Sequence, residues 1–159
     1  MPFDPVQFLN QEYNEPNSTQ SIPIPENDYT GLIRSVSPPF VWTDDRDGSK
    51  KVFINVNWAL EDPDGAIEEK TNRKDNTAQQ KLSLEPVLDN MGNVTGIDMR
   101  PGINVPLGLL REATNLNTTG FRFNKLIGKA GLVRVRTKID KNDIPRSQVT
   151  AVAPLGGEL

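Results

Sequence analysis

The stretch VFINVNWAL at residues 52–60 has the most regular hydrophobic pattern in the chain. Apolar side chains occupy every second position, and asparagines at positions 55 and 57 lie between them. Strict alternation of this kind is typical of a β-strand with one buried face. We therefore predict a central strand over residues 52–60, with these side chains toward the core: Val52, Ile54, Val56, Trp58 and Leu60.

Shorter alternating segments precede this strand. Residues 28–36 alternate until Ser37-Pro38-Pro39 ends the pattern, and Phe40–Trp42 either continues that strand or forms a short partner for another. Residues 43–51 are polar, with Asp47-Gly48 at their centre, a dipeptide typical of hairpin turns. The region before the central strand is thus predicted to contain one or two strands followed by a hairpin turn.

Further strands and one helix are predicted after the central strand. The strands are expected at residues 81–88, 94–99, 132–139 and 148–153, and in the first of them Leu82, Leu84 and Val87 should face inward. A helix should begin near Asn104, which we expect to cap it, because Leu107, Leu110, Ala113 and Thr114 fall on one helical stripe.

The remaining segments are predicted to be peripheral. Residues 61–80 contain six acidic and three basic residues and almost no apolar ones, which favours a mobile loop or hairpin tip. Residues 1–27 should be an extended N-terminal arm, within which an apolar element could dock on the body or on a neighbour. A single β-barrel domain is expected over 28–155, and a loose tail over 156–159. The apolar element within the arm consists of Phe3, Val6, Phe8 and Leu9.

These elements together predict a mainly β protein. Five or six strands, one late helix and long loops favour a small antiparallel OB-like barrel, a fold that often binds polymers on an open face. A β-sandwich or jelly roll is the alternative, because strand number alone does not separate these architectures.

Composition argues against catalysis. The chain of 159 residues has no Cys and no His, so it lacks a thiolate nucleophile, the commonest metal ligand and the usual proton shuttle at neutral pH. The acidic turns around Gly48 and Gly65 fail the EF-hand pattern, and Gly128-Lys129-Ala130-Gly131 lacks the spacing of a phosphate-binding loop. We therefore predict a protein that is not an enzyme and has no metal or cofactor.

The net charge of -3 conceals a strong asymmetry along the chain. Residues 1–30 contain five acidic and no basic residues, whereas residues 121–146 contain eight basic and two acidic ones. A basic C-terminal third is typical of a protein with a polyanionic partner, although charge distributed over two solvated faces is the simpler interpretation.

One strand concentrates this positive charge. Arg134, Arg136 and Lys138 are spaced by two residues, so they should project from the same sheet face, where their repulsion would be relieved by phosphates. Single-stranded nucleic-acid binders add aromatic rings on which bases stack. Core packing is the alternative role for each ring. The candidate rings are Trp42, Phe53, Phe121 and Phe123, and Arg122 and Lys125 are further candidate cations.

Several motifs resemble those of a group of small tailed-phage proteins. They are FDP-x-x-FL from Phe3, IP-x-x-x-Y from Ile24, NV-x-LG-x-LREA-x-x-x-N from Asn104, and LIGK from Leu126 followed by the basic strand and V-x-x-V-x-P from Val149. The resemblance covers nearly the whole chain and is weakest over residues 61–80.

Related phage proteins resemble single-stranded-DNA-binding proteins with OB-type folds. The resemblance implies that Arg111 on the predicted helix, together with the basic strand, lies along the DNA path. One departure concerns the C-terminus, because such proteins commonly end in an acidic tail and residues 156–159 contain only one acid.

Two functions follow as hypotheses. The first is a phage single-stranded-DNA-binding protein that acts in replication or recombination in the host cytoplasm, with little sequence preference. The second is a virion structural protein, such as a capsid decoration or cement subunit, whose N-terminal arm binds neighbouring copies or capsid protein. No secretory signal or apolar run long enough to span a bilayer is present, so neither hypothesis includes a membrane.

Overall fold

The computed structural model describes residues 2–19, 21–74 and 76–159. Its strands are β1 Asn27–Val36, β2 Phe40–Thr43, β3 Lys50–Leu60, β4 Thr77–Leu84, β5 Pro86–Leu88, β6 Val94–Ile97, β7 Ala130–Ile139 and β8 Pro145–Ala153. Its helices are α1 Pro5–Asn10, α2 Ala66–Thr71, α3 Val105–Ala113 and the 3₁₀ helix η1 Phe123–Leu126.

Five strands close into a barrel. Their order is β1-β7-β8-β4-β3, and β3 pairs back with β1. All neighbours are antiparallel except β4 and β8, so the barrel is mixed, whereas the sequence predicted a purely antiparallel one. The predicted mainly β, small OB-like barrel is otherwise confirmed. β2 extends the sheet beside one end of β3, and β5 and β6 form a separate hairpin.

The central strand is confirmed as the best-packed element of the barrel. Along β3 every second residue from Val52 to Leu60 is buried, and the intervening residues are half-buried. β3 pairs with β1, β2 and β4, so its inward side chains meet those of three neighbouring strands. This explains why its sequence has the clearest alternation in the chain.

Two glycines leave space for the largest core side chain. Gly31 on β1 is directly opposite Gly131 on β7, and a Cβ atom on Gly31 would lie 2.9 Å from the Trp58 indole. Trp58 is fully buried, and its Nε1 donates a hydrogen bond of 3.0 Å to Oε1 of the buried Gln80. The polar edge of the indole is therefore satisfied inside the barrel.

The helix α3 forms where predicted, but its first turn is held differently. Leu107, Leu110 and Ala113 are buried as expected. Asn104 has a left-handed backbone and makes no side-chain cap; its amide instead bonds the backbone N–H and carbonyl of Glu85 and the carbonyl of Asp98. The side chain thus ties α3 to the ends of β4 and β6.

The third predicted strand is divided into two. Leu82 and Leu84 on β4 are buried as predicted. Val87 was expected to face inward but is 45% exposed, because it lies on β5, outside the barrel. Residues 81–88 therefore contribute to both the barrel and the separate hairpin.

Residues 61–80 differ from the predicted mobile loop. They contain α2 and the start of β4, and the side chain of Ile67 is fully buried. Asp62 accepts hydrogen bonds from the backbone N–H groups of Ile67 and Glu68 at the beginning of α2. Ile67 and the Asp62 carboxylate therefore anchor α2, which the polar composition did not indicate. Asp75 of this segment lies outside the described residues.

The predicted arm divides into a free part and an anchored part. The helix α1 is capped by Asp4 and has no buried residue. Ile24, which the sequence placed in the arm, is only 3% exposed and belongs to the core, and its N–H donates to Oγ of Ser147 at 2.8 Å. The body of the domain therefore begins before β1.

Candidate nucleic-acid interface

An aromatic cluster lies on the outer surface of β2 and β3. Phe40 on β2 is opposite Phe53 on β3, and the ring centroids of Trp42 and Phe53 are 6.4 Å apart with planes tilted by 57°. Phe40 is 62% exposed and Trp42 is 40% exposed. We call Phe40, Trp42 and Phe53 the aromatic platform, and it borders an open cavity of about 550 Å³.

A lysine adjoins this platform. Nζ of Lys81 on β4 lies 4.6 Å from the centroid of the Phe53 ring, within the range of a cation–π contact. Lys81 also lines the cavity that the platform borders. A base stacked on the platform would therefore place its phosphate near a cation.

The basic strand forms as predicted on β7. Val133 and Val135 are buried, and Arg134, Arg136 and Lys138 alternate with them. Arg134 forms an ion pair with Asp28 on β1, in which Nε donates to Oδ1 at 3.0 Å. Hydrogen bonding to Arg134 is the main cause that lowers the pKa of Asp28 below its ordinary value of 3.8.

The other two cations of the strand are not neutralised in this way. Within the described part of the chain Arg136 and Lys138 form no ion pair, and Arg136 donates to the carbonyl of Val135. Lys138 is opposite Arg146 on β8, whose guanidinium contacts Asp140 at 3.2 Å. Two like charges facing each other across a strand pair repel, so an anion bound here would relieve that repulsion.

A row of polar side chains connects the basic strand with the aromatic platform. Arg136 is opposite Gln148 on β8, and Gln148 is opposite Gln79 on β4. Gln79 is in turn opposite Asn57 on β3. We call these four residues the polar row. Strands are about 4.8 Å apart, so Arg136 lies roughly 10 Å from Gln79 across the surface.

The polar row meets the platform on β3 and β4. Lys81 is the next outward residue after Gln79 on β4, and Asn55 is opposite Lys81. Phe53 is the next outward residue after Asn55 on β3. The strand register therefore links the cations of β7 to the rings of β2 and β3, and residues 21–24 of the arm border this row beside Gln79 and Gln148.

Three further predicted site residues form a packed cluster elsewhere. The rings of Phe121 and Phe123 make an edge contact with centroids 5.2 Å apart, and both are half-buried against the core. Arg111 is only 7% exposed; its guanidinium donates to the carbonyls of Leu116 and Thr118 and lies 4.4 Å from the Phe121 ring. This places Arg111 in a structural role, not on the expected DNA path.

The two remaining predicted cations lie beside this cluster. Arg122 and Lys125 are exposed, and Nζ of Lys125 donates to the carbonyl of Gly120. Both belong to the η1 region, which contacts β1, and not to β7 or the platform. They do not share the surface described above.

Several members of this surface were not predicted from the sequence: Phe40, Lys81, Arg146 and the three amides of the polar row, Asn57, Gln79 and Gln148. The alternation of Phe40 with Trp42 was a usable signal, because residues two apart on a strand share a face. Lys81 and Arg146 become recognisable only from the strand register.

Two further kinds of feature, a metal-binding cluster and a membrane-spanning helix, are absent from the described residues. Among the described residues there is no group of three or more acidic side chains arranged to hold a metal ion. Nor does any helix in that part of the chain have the length and hydrophobicity needed to cross a bilayer.

No protein-family model, no curated protein and no solved structure matches this chain.

Proposed function

We propose that the protein binds single-stranded DNA, largely without sequence preference, and acts in phage replication or recombination. The observation that best supports this proposal is the continuity of the aromatic platform with the polar row and the basic strand. On the outside of the barrel, aromatic rings, amides and cations follow one another in space. This arrangement is suited to single-stranded DNA, which is a flexible polyanion with exposed bases.

Each part of the surface has a distinct task in this proposal. Bases stack on Trp42 and Phe53, which present π surfaces to any base and so confer no sequence preference. Lys81, Arg136 and Lys138 neutralise phosphates and release counterions. The amides of Gln79 and Gln148 bond sugar or phosphate oxygens between these positions.

The proposal excludes duplex DNA as the main ligand. A duplex keeps its bases stacked on one another, so the aromatic platform would gain nothing from it. We therefore expect single-stranded oligomers to bind more tightly than duplexes of the same length, at every salt concentration.

The test is filter binding with short single-stranded DNA oligomers of several sequences at increasing salt. We expect similar affinities for all sequences and a linear fall of log K with log salt concentration, by about 0.7 for each phosphate neutralised. If no oligomer binds in a salt-sensitive manner at low ionic strength, the proposal is wrong.

A virion structural role is the second candidate, and the fully exposed α1 favours it. An apolar helix on a polar tether is suited to contact with an adjacent subunit. Mass spectrometry of purified particles distinguishes the two functions, because absence of the chain from mature particles removes this candidate.

A further inference from the structure

The N-terminal helix has an apolar surface that no other residue described by the structure covers. The Phe3 and Phe8 rings contact each other with centroids 5.3 Å apart, yet they are 71% and 52% exposed. Val6 and Leu9, one helical turn apart, are also exposed. Clustered exposed apolar side chains of this kind typically mark an interaction site.

The barrel has a matching apolar cleft. It has a volume of about 620 Å³ and lies between β2, the β5–β6 hairpin and η1. Its lining is mainly hydrophobic and includes Val36, Pro39, Val41, Val94, Ile97 and Phe123. A cleft of this size and character suits the apolar face of a short helix.

The arm and the cleft are at opposite ends of the barrel. The arm is anchored by Ile22 and Ile24 beside Thr77, at the first residue of β4. The cleft is lined by Leu84, the last residue of β4. At about 3.3 Å per residue these two ends of β4 are roughly 23 Å apart.

The two surfaces also have complementary charge. Residues 2–19 contain three acidic residues, Asp4, Glu12 and Glu15, and no basic ones. Residues 121–129, which include η1 at the edge of the cleft, contain Arg122, Lys125 and Lys129 and no acidic residue. Attraction between these segments would orient the helix toward the cleft.

We infer that α1 of one molecule docks in the apolar cleft of a second copy of this chain. The eleven residues between α1 and Ile22 can span at most about 40 Å, which is enough to reach an adjacent molecule. Because donor and acceptor are at opposite ends of the barrel, the contact is head-to-tail and can repeat from one copy to the next, which produces open chains or rings of subunits. This inference does not depend on DNA binding.

Disulfide trapping tests the contact directly, because the chain has no native cysteine. The Leu9→Cys and Gly96→Cys variants are prepared separately. Gly96 lines the cleft, and a Cβ atom at this position would lie in open space. Mixed under oxidising conditions without nucleic acid, the two should form a cross-linked dimer. The control is Asn142→Cys, exposed in the turn between β7 and β8 at the other end of the barrel, which should not cross-link to Leu9→Cys.

Two results would overturn the inference. One is cross-linking of Leu9→Cys to Gly96→Cys no faster than to the Asn142→Cys control. The other is a disulfide that forms only within single chains that have both cysteines, because α1 would then dock on its own barrel.

Sedimentation of the full chain provides a second measurement. The average mass should rise steadily with concentration and remain that of a monomer in the Phe3→Ala/Phe8→Ala double variant. Gly96→Glu, which fills the cleft and repels the acidic arm, should have the same effect. A mass that stays monomeric at every concentration in the unmodified chain would contradict head-to-tail association.

Discussion

Asp28 and Arg134 form a two-point ion pair across β1 and β7, with Nε–Oδ1 at 3.0 Å and Nη2–Oδ2 at 3.3 Å. The pair involves the first of the three cations on β7, so the protein itself already neutralises one of the cations predicted to meet phosphate. The other two, Arg136 and Lys138, form no ion pair among the described residues, although the charge of Asp28 also attracts Arg136 and the Glu26 carboxylate accepts a hydrogen bond from the N–H of Thr137 between them.

This pairing predicts unequal effects for substitutions along β7. Arg136→Ala should reduce the slope of log K against log salt by about 0.7, whereas Arg134→Ala should change it little, because Arg134 is paired before DNA binds. Arg100→Ala is the matched control, since Arg100 is an exposed arginine paired with Asp98, away from β7. Equal slope changes for Arg134→Ala and Arg136→Ala would contradict this assignment.

Removal of the acidic partner should have the opposite effect. In Asp28→Asn the guanidinium of Arg134 loses its anion, so we expect tighter binding to single-stranded DNA and a slope larger by about 0.7. Asp64→Asn removes the same charge from an exposed turn and should leave the slope unchanged. Weaker binding by the Asp28→Asn variant would show that the ion pair positions Arg134 for DNA.

The aromatic platform should contribute the part of the affinity for single-stranded DNA that does not depend on salt concentration. Trp42→Ala should weaken binding by roughly 5- to 150-fold, the effect of about 1–3 kcal/mol per stacked base, with the salt slope unchanged. Trp42→Phe should retain most of the affinity, and Tyr13→Ala, which removes an exposed ring from the arm, should have no effect on it. An unchanged affinity in Trp42→Ala would exclude the platform from the interface.

Replacement of glycine by alanine should have opposite effects on the free energy of unfolding at two positions, Gly31 and Gly108. Gly31→Ala should destabilise the fold by about 1–3 kcal/mol, because its Cβ would lie 2.9 Å from the Trp58 ring in a filled core. Gly108→Ala should stabilise it by up to about 1 kcal/mol, because Gly108 is within α3 and an added Cβ atom would lie in open space. Urea denaturation of both variants measures the difference, and a stabilised Gly31→Ala would contradict the packing.

The free energy of unfolding should fall at acidic pH and stay constant around neutral pH. Hydrogen bonds from the backbone N–H groups of Asn93 and Ile144 are the main causes that lower the pKa of Asp89 and Asp140 below 3.8. A carboxyl group with a lowered pKa stabilises the folded state above its ordinary pKa and loses that effect as pH falls through the folded value. We expect a constant urea midpoint from about pH 6 to 8, since the chain has no histidine, and a decline below about pH 4.

The variant Asp140→Asn tests whether protonation of Asp140 contributes to the loss of stability in acid. It cannot titrate, so the decline in its urea midpoint between about pH 5 and 3 should be smaller than in the unmodified chain. An equal decline in both proteins would show that Asp140 does not contribute to the acid sensitivity.

Much of the fold was predictable because alternation is a local property. The burial of Val52, Ile54 and Val56 on β3, and of Val133 and Val135 on β7, follows from period-two patterns visible in the sequence. Barrel closure was a weaker inference, and the parallel β4–β8 contact was not predicted, because it joins strands distant in the chain.

The candidate surface was less predictable than the fold. Arg111 and Arg136 are the same residue type, but one is buried on carbonyls and an aromatic ring while the other lies on the outer face of β7. What separates them is the segment after α3, in which Leu116, Thr118 and Phe121 surround the Arg111 guanidinium. Likewise Phe53 lies on the outer face of β3, whereas Phe121 lies outside any helix or strand and packs against the core. The sequence of residues 121–127 has no regular period from which to predict that packing.

The two tryptophans of this chain provide separate optical signals. Trp58, enclosed between Gly31 and Gly131, is shielded from water, whereas Trp42 is partly in contact with it. A soluble quencher should therefore reduce the emission of Trp42 alone, and a ligand stacked on that ring should protect it. The emission maximum of Trp58 should shift to longer wavelength only when the barrel opens. One unlabelled sample can thus distinguish a variant that has lost its ligand from a variant that has lost its fold.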